Sequence, residues 1–184
     1  MRFGCAVTCE DASEGDVWRE WTADQIAELY NYLCWANVPV CGWNITAFDW
    51  PVILANAQRA GVILLEIEYE TVPRIDLFDF IRQKTGRWYK LEDIAQANLG
   101  YGKLADGQLA AEWLRSGDPE QMRKAMEYCR HDVKLTMDLA TILQRGESLR
   151  LPPRILRSEL NEVLIWNDGR TERIPDAMGA ISTK

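Results

Sequence analysis

Hydrophobic and polar residues alternate from Arg2 to Thr8, with Phe3, Cys5 and Val7 on one side of the pattern. Asp16 to Trp21 alternates again through Val17, Arg19 and Trp21. Period-two alternation on both sides of a polar, glycine-containing turn predicts a β-hairpin. Thr22 with Gln25 three residues later is a capping-box signature. It predicts a helix burying Ile26, Leu29, Tyr30 and Leu33 on one face. Val38 to Gly42 is a short apolar run that predicts a buried strand. A helix is predicted from about Phe48 to Ala60, with Pro51 in its first turn and Gly61 as its C-cap.

Glu66 to Val72 reads as extended chain or loop. Asp76 to Lys84 predicts a helix with Leu77, Phe80 and Ile81 on its apolar face, and Lys90 to Leu99 predicts another, stopped at Gly100. Gly102 and Gly107 punctuate a loop before a helical stretch from Leu109 to Leu114. Asp118-Pro119 pairs an N-cap with proline at the first helical position and opens a helix reaching Arg145. Leu151-Pro152-Pro153 breaks the pattern. A second hairpin follows, Val163 to Trp166 and Thr171 to Ile174 around Asn167-Asp168-Gly169. This order predicts an α/β domain over residues 1–145 and a linker with a hairpin tail over 146–184.

Composition narrows the class. At 47% hydrophobic and 27% charged residues the chain is globular in character. No apolar run has the ~20 residues of a membrane helix. Five widely spaced cysteines fit reduced thiols in an intracellular, cytoplasmic setting better than a disulfide framework. Cys41 and Cys129 read as core residues, and Cys5 with Cys9 lacks the second pair a zinc site needs. The formal charge of −7, from 28 acidic and 21 basic residues, argues against holding nucleic acid by a global positive field. One stretch runs the other way: Arg82, Lys84, Arg87, Lys90 and Lys103 are locally basic. They could track a phosphate backbone or form a solvated face.

Two segments are candidates for chemistry. Asp49 follows a strand at the start of a helix, where α/β sheets build sites. Its carboxylate suits a hard cation, or it serves only the helix N-terminus. Tyr128 and Asp132 lie four apart in the long helix and share one face. Asp132 sits among Val133, Leu135 and Leu139, and a carboxylate buried there needs a partner or a metal. A surface ion pair with Arg130 or Lys134 is the plainer reading of Asp132 alone. Trp43 and Trp50 flank Asp49 and could line a groove, core packing being the commoner role. His131 reads as structural or solvent-facing.

Together the two segments resemble motifs of the proofreading 3′–5′ exonuclease domain of B-family DNA polymerases and its stand-alone relatives. This is the tyrosine-bearing branch of the DEDD superfamily, with an RNase H-like fold. The second motif is Asn44-Ile45-Thr46-Ala47-Phe48-Asp49 and the third is Tyr128 with Asp132, continued by Leu135-Thr136. Arg74-Ile75-Asp76-Leu77 and Tyr89 to Ala95 are similar to the family's connecting segments, and the likeness runs from about Phe3 to Leu143. It implies a mixed sheet flanked by helices. It also implies a two-metal phosphodiester hydrolysis with Mg²⁺ or Mn²⁺. Asp49 and Asp132 would be metal ligands, Tyr128 would orient the attacking water, and Asn44 and Phe48 would shape the terminal-nucleotide pocket. The implied partner is the 3′ end of single-stranded DNA, with RNA as the alternative and a polymerase or helicase as a companion protein. Acidity then fits a site where metals bridge to an anionic substrate.

The family's first motif, Asp-x-Glu on a central strand, would lie upstream of Arg2. Its absence here leads us to expect a truncated copy lacking that strand and two of four ligands, or a degenerate relative. Such a relative would be an inactive module that binds nucleic acid or a replication partner. Glu66-Ile67-Glu68 and Glu10-Asp11 are weaker substitutes for the missing pair.

Overall fold

The computed structural model describes residues 3–10, 15–35, 38–63, 72–104, 107–152, 154–157, 162–165 and 171–173. β1 (Cys5–Glu10) and β2 (Val17–Thr22) pair antiparallel from Cys5 opposite Thr22 to Glu10 opposite Val17. The Thr22 amide donates to Gln25 Oε1 at 3.0 Å, which closes the capping box over a 3-10 turn, Ala23–Gln25. α1 (Ile26–Trp35) follows and buries Ile26, Leu29, Tyr30 and Leu33, as the periodicity predicts. β3 (Val40–Gly42) leads to α2 (Asp49–Arg59).

β3 pairs in parallel with β4 (Arg74–Asp76), a strand the sequence pattern leaves inside a loop and helix start. Both strands are three residues long, too short for alternation to show, and each exists through its partner. Their outward residues, Cys41 and Ile75, sit opposite one another and are exposed. Cys41 is therefore not a core residue, and Val38 is 52% exposed, so this is not the buried strand predicted.

α3 (Leu77–Thr85), α4 (Leu91–Leu99), α5 (Gly107–Ser116) and the long α6 (Pro119–Gln144) are the remaining helices among the described residues. Asp118 Oδ1 accepts from the Glu120 amide at 2.9 Å and caps α6 ahead of Pro119. Phe80 is half exposed instead of joining the predicted apolar face of α3. Leu77 and Ile81 alone form the buried stripe, because a helix of nine residues meets its neighbours along one narrow seam. β5 (Arg154–Arg157), β6 (Glu162–Ile165) and β7 (Thr171–Arg173) form an antiparallel three-stranded sheet, β5 lying where the sequence pattern shows no strand. Glu66 to Glu68 and Asp11 lie outside the described residues.

The strands thus pair both antiparallel and parallel, in three small sheets among the described residues. Two apolar cores form among the described residues. One joins Trp21 of β2, Leu29 and Leu33 of α1, and Trp50 and Ile53 of α2. The other joins Leu77 and Ile81 of α3, Ile94 of α4, and Leu135 and Leu139 of α6. Trp50 is 1% exposed and belongs to the first core, so it lines no groove. α6 lies against both β1 and β3 and so brings the third-motif face to the end of β3, where the second motif begins. No helix among the described residues is long and apolar enough to cross a membrane.

Candidate active site

The second motif is a tight turn between β3 and α2. A side chain at Gly42 would press within 2.8 Å of Ile45, so the chain folds back where only glycine fits. Asn44 takes a left-handed conformation with φ 57°, which asparagine tolerates better than most residues. The Phe48 amide donates to Asn44 O at 3.0 Å and the Trp50 amide to Ile45 O at 2.9 Å, which carries the turn into α2. Phe48 stands at the N-cap and is 49% exposed. Asp49 is the first residue of α2, at the solvent edge.

Asp76 anchors this turn. Its Oδ1 accepts from the Asn44 amide at 2.9 Å and its Oδ2 from the Thr46 amide at 3.0 Å. The same carboxylate caps α3, accepting from the amides of Phe78 at 3.1 Å and Asp79 at 3.3 Å. One side chain thus satisfies four amides from two elements.

The third motif presents Tyr128 and Asp132 from α6. Lys103, in the loop between α4 and α5, reaches both. Its Nζ donates to Tyr128 Oη at 2.9 Å and to Asp132 Oδ2 at 2.6 Å. The loop is held for this by neighbouring bonds: His131 Nε2 meets Gly102 O at 2.7 Å, and Tyr101 Oη donates to Asp138 Oδ2 at 2.5 Å. His131 is therefore structural. Burial opposes the Lys103 charge, but the bonds to Asp132 and Tyr128 outweigh it and hold its pKa above the ordinary value. Burial pushes the Tyr128 hydroxyl up, so it stays protonated at neutral pH.

The Asp132 charge reaches Asp49. Protein packed around the Asp49 carboxyl, with the charges of Asp76 and Asp132 beside it, pushes its pKa up to about 6. Asp76 spends both oxygens on amides, which leaves Asp49 and Asp132 as the carboxylates that could offer oxygen ligands to a hard cation. Asp132 Oδ1 is buried and has no hydrogen-bond partner among the described residues, an acceptor left open at the site. These donors fit a divalent ion, although no group of three or more metal-ligating side chains assembles among the described residues.

Sequence reasoning singles out Tyr128, Asp132, Asn44, Phe48 and Asp49 as candidates, and the long helix α6 lies against β3, which leads into the second motif. It misses two residues. Asp76 carries a visible local signal, an aspartate directly before a helix, but nothing local reveals its reach to the second motif. Lys103 reads only as part of a basic stretch. Behind the site, Cys5 of β1 and Cys129 of α6 place their sulfurs 3.7 Å apart as free thiols.

Residues 5–144 match a family model described as RNase_H superfamily. The chain belongs to the RNase H superfamily. The superfamily has a nuclease-type fold, and its nucleases generally use divalent metals. No curated protein and no solved structure gives a significant match.

Proposed function

We propose that this chain is a metal-dependent 3′–5′ exonuclease of the tyrosine-bearing DEDD branch, acting on the 3′ end of single-stranded DNA. The observation that carries the reading is the meeting of the two motifs. Asp132 keeps an open acceptor and shares its field with Asp49, while Tyr128 stands one helical turn away.

In this reading Asp49 and Asp132 hold divalent ions. When bound, such ions supply Lewis acidity and charge neutralisation at the scissile phosphate. The chain's own residues do the rest. Tyr128, held by Lys103 and kept protonated, orients the attacking water. Lys103 fixes Oδ2 of Asp132, while Oδ1 is buried with no hydrogen-bond partner among the described residues. Asn44, set by Asp76, and the exposed Phe48 ring shape the pocket of the terminal nucleotide.

The test is a 5′-labelled single-stranded DNA incubated with Mg²⁺ or Mn²⁺. Stepwise shortening from the 3′ end is expected. Asp132→Ala should cut the rate by at least about a hundredfold, the scale of losing one charge-stabilising group. Intact substrate with the wild-type chain, or unchanged rates in Asp132→Ala, would defeat the proposal. One observation favours a second reading: the Lys103 ammonium already neutralises Asp132. On that reading the chain binds nucleic acid without cutting it, and substrate would be retained but left whole.

A further inference from the structure

A trail of rings leads outward from the second motif. Trp43, next to Asn44, stands edge-on to Phe78 with ring centroids 6.0 Å apart. Phe78, in the first turn of α3, packs against Trp88 at 5.2 Å. The Arg82 guanidinium lies over the Trp88 ring, 5.4 Å from its centroid. Trp88 itself is 73% exposed. An indole left this open in water while braced by a ring and a guanidinium is held in one orientation with its apolar surface available.

Charge around it is reversed relative to the whole chain. Residues 82–90 carry four cations, Arg82, Lys84, Arg87 and Lys90, and no acid, within a chain of net charge −7; Arg82 is paired with Asp79 at 3.1 Å, which leaves Lys84, Arg87 and Lys90 as the surplus. Lys84 and Lys90 are exposed. The trail is also tied to the candidate site: Asp76 accepts from the amides of both Asn44 and Phe78. A flat ring among cations suits a ligand that has both a flat face and negative charge, which is a base on a phosphate backbone. A protein partner would need either an acidic aromatic segment or a wider apolar patch.

We propose that Trp88, backed by Phe78 and flanked by Arg82, is a stacking platform for a base of single-stranded nucleic acid, upstream of the terminal nucleotide. This rests on the nuclease reading for its substrate class. It adds a second grip on the strand, away from the reacting phosphate.

The experiment is fluorescence anisotropy with a labelled oligothymidylate of about fifteen nucleotides, within the length one binding groove spans, in EDTA so that no cleavage occurs. Trp88→Ala should weaken binding by about five- to a hundredfold, the usual range for losing one aromatic stack. Trp88→Phe should recover most of it. Trp35→Ala, which removes an equally exposed indole at the end of α1, should change nothing. Wild-type affinity in Trp88→Ala, equal losses in Trp88→Ala and Trp35→Ala, or no binding by the wild-type chain would each overturn the platform. The two proposals fail separately. Asp132-dependent cleavage with Trp88-independent binding removes the platform alone. Trp88-dependent binding without cleavage under any metal removes the exonuclease reading alone.

Discussion

The second-motif turn and the third-motif face of α6 contribute one carboxylate each, yet they are built in different ways. Asp49 opens α2 at the end of an exposed turn whose amides bond the Asp76 carboxylate, and protein packed around its own carboxyl, with like charges beside it, pushes its pKa up. Asp132 projects from a helix on the same side as the buried Leu135 and Leu139, and a lysine neutralises it. One half is positioned by main chain and left electrostatically strained. The other is positioned by side chains and already satisfied on one oxygen. Carboxylates that look equivalent in sequence therefore begin from unequal states, and a cation would relieve Asp49 but compete with Lys103 at Asp132.

That contrast can be broken first at Lys103. Lys103→Met should lower turnover about ten- to a hundredfold, the usual scale for losing a group that orients a site residue. The half-saturating Mg²⁺ concentration should fall, because Nζ no longer competes for Asp132. A rise in that concentration would show that Lys103 assists the ion instead. Asp76→Ala tests the main-chain half. It strips four amides of their acceptor and should cost about 2 kcal/mol in urea unfolding, between one helix cap and a cap plus further lost bonds. A loss confined to the helix cap, about 1 kcal/mol, would mean the turn holds itself.

The smallest effect concerns Asp49. Its folded-state pKa of about 6 lies above the ordinary carboxylate value, so the folded chain binds this proton more tightly than the unfolded chain. Its contribution then favours folding at low pH and is lost as pH rises from about 4 to about 6, with no further change above that. In metal-free buffer, Asp49→Asn should flatten this part of the stability profile and gain roughly 1 kcal/mol at pH 7, discounted for solvent at an exposed site. Melting temperatures of both proteins across that window decide it; parallel curves would refute the crowding of Asp49.

The elements legible in the sequence are those with a local physical cause. Thr22 and Gln25 announce α1 because a capping box lies within four consecutive residues, and Asp118-Pro119 announces α6 because its signal is equally local. The candidate site was legible as two motifs because helical spacing puts Tyr128 and Asp132 on one face. What stayed hidden depends on distant partners. β4 exists through pairing with β3 across an intervening helix, and Lys103 reaches α6 only because His131 and Asp138 pin its loop. Phe80 misled because periodicity gives a face but not its width.

Asp76 has a consequence for fluctuations. A carboxylate shared by the turn and the α3 N-terminus makes their openings a joint event, since releasing either leaves its acceptor only half used. The amides of Asn44, Thr46, Phe78 and Asp79 should then exchange with solvent hydrogen at a common opening free energy, as one cooperative unit spanning two distant stretches of chain.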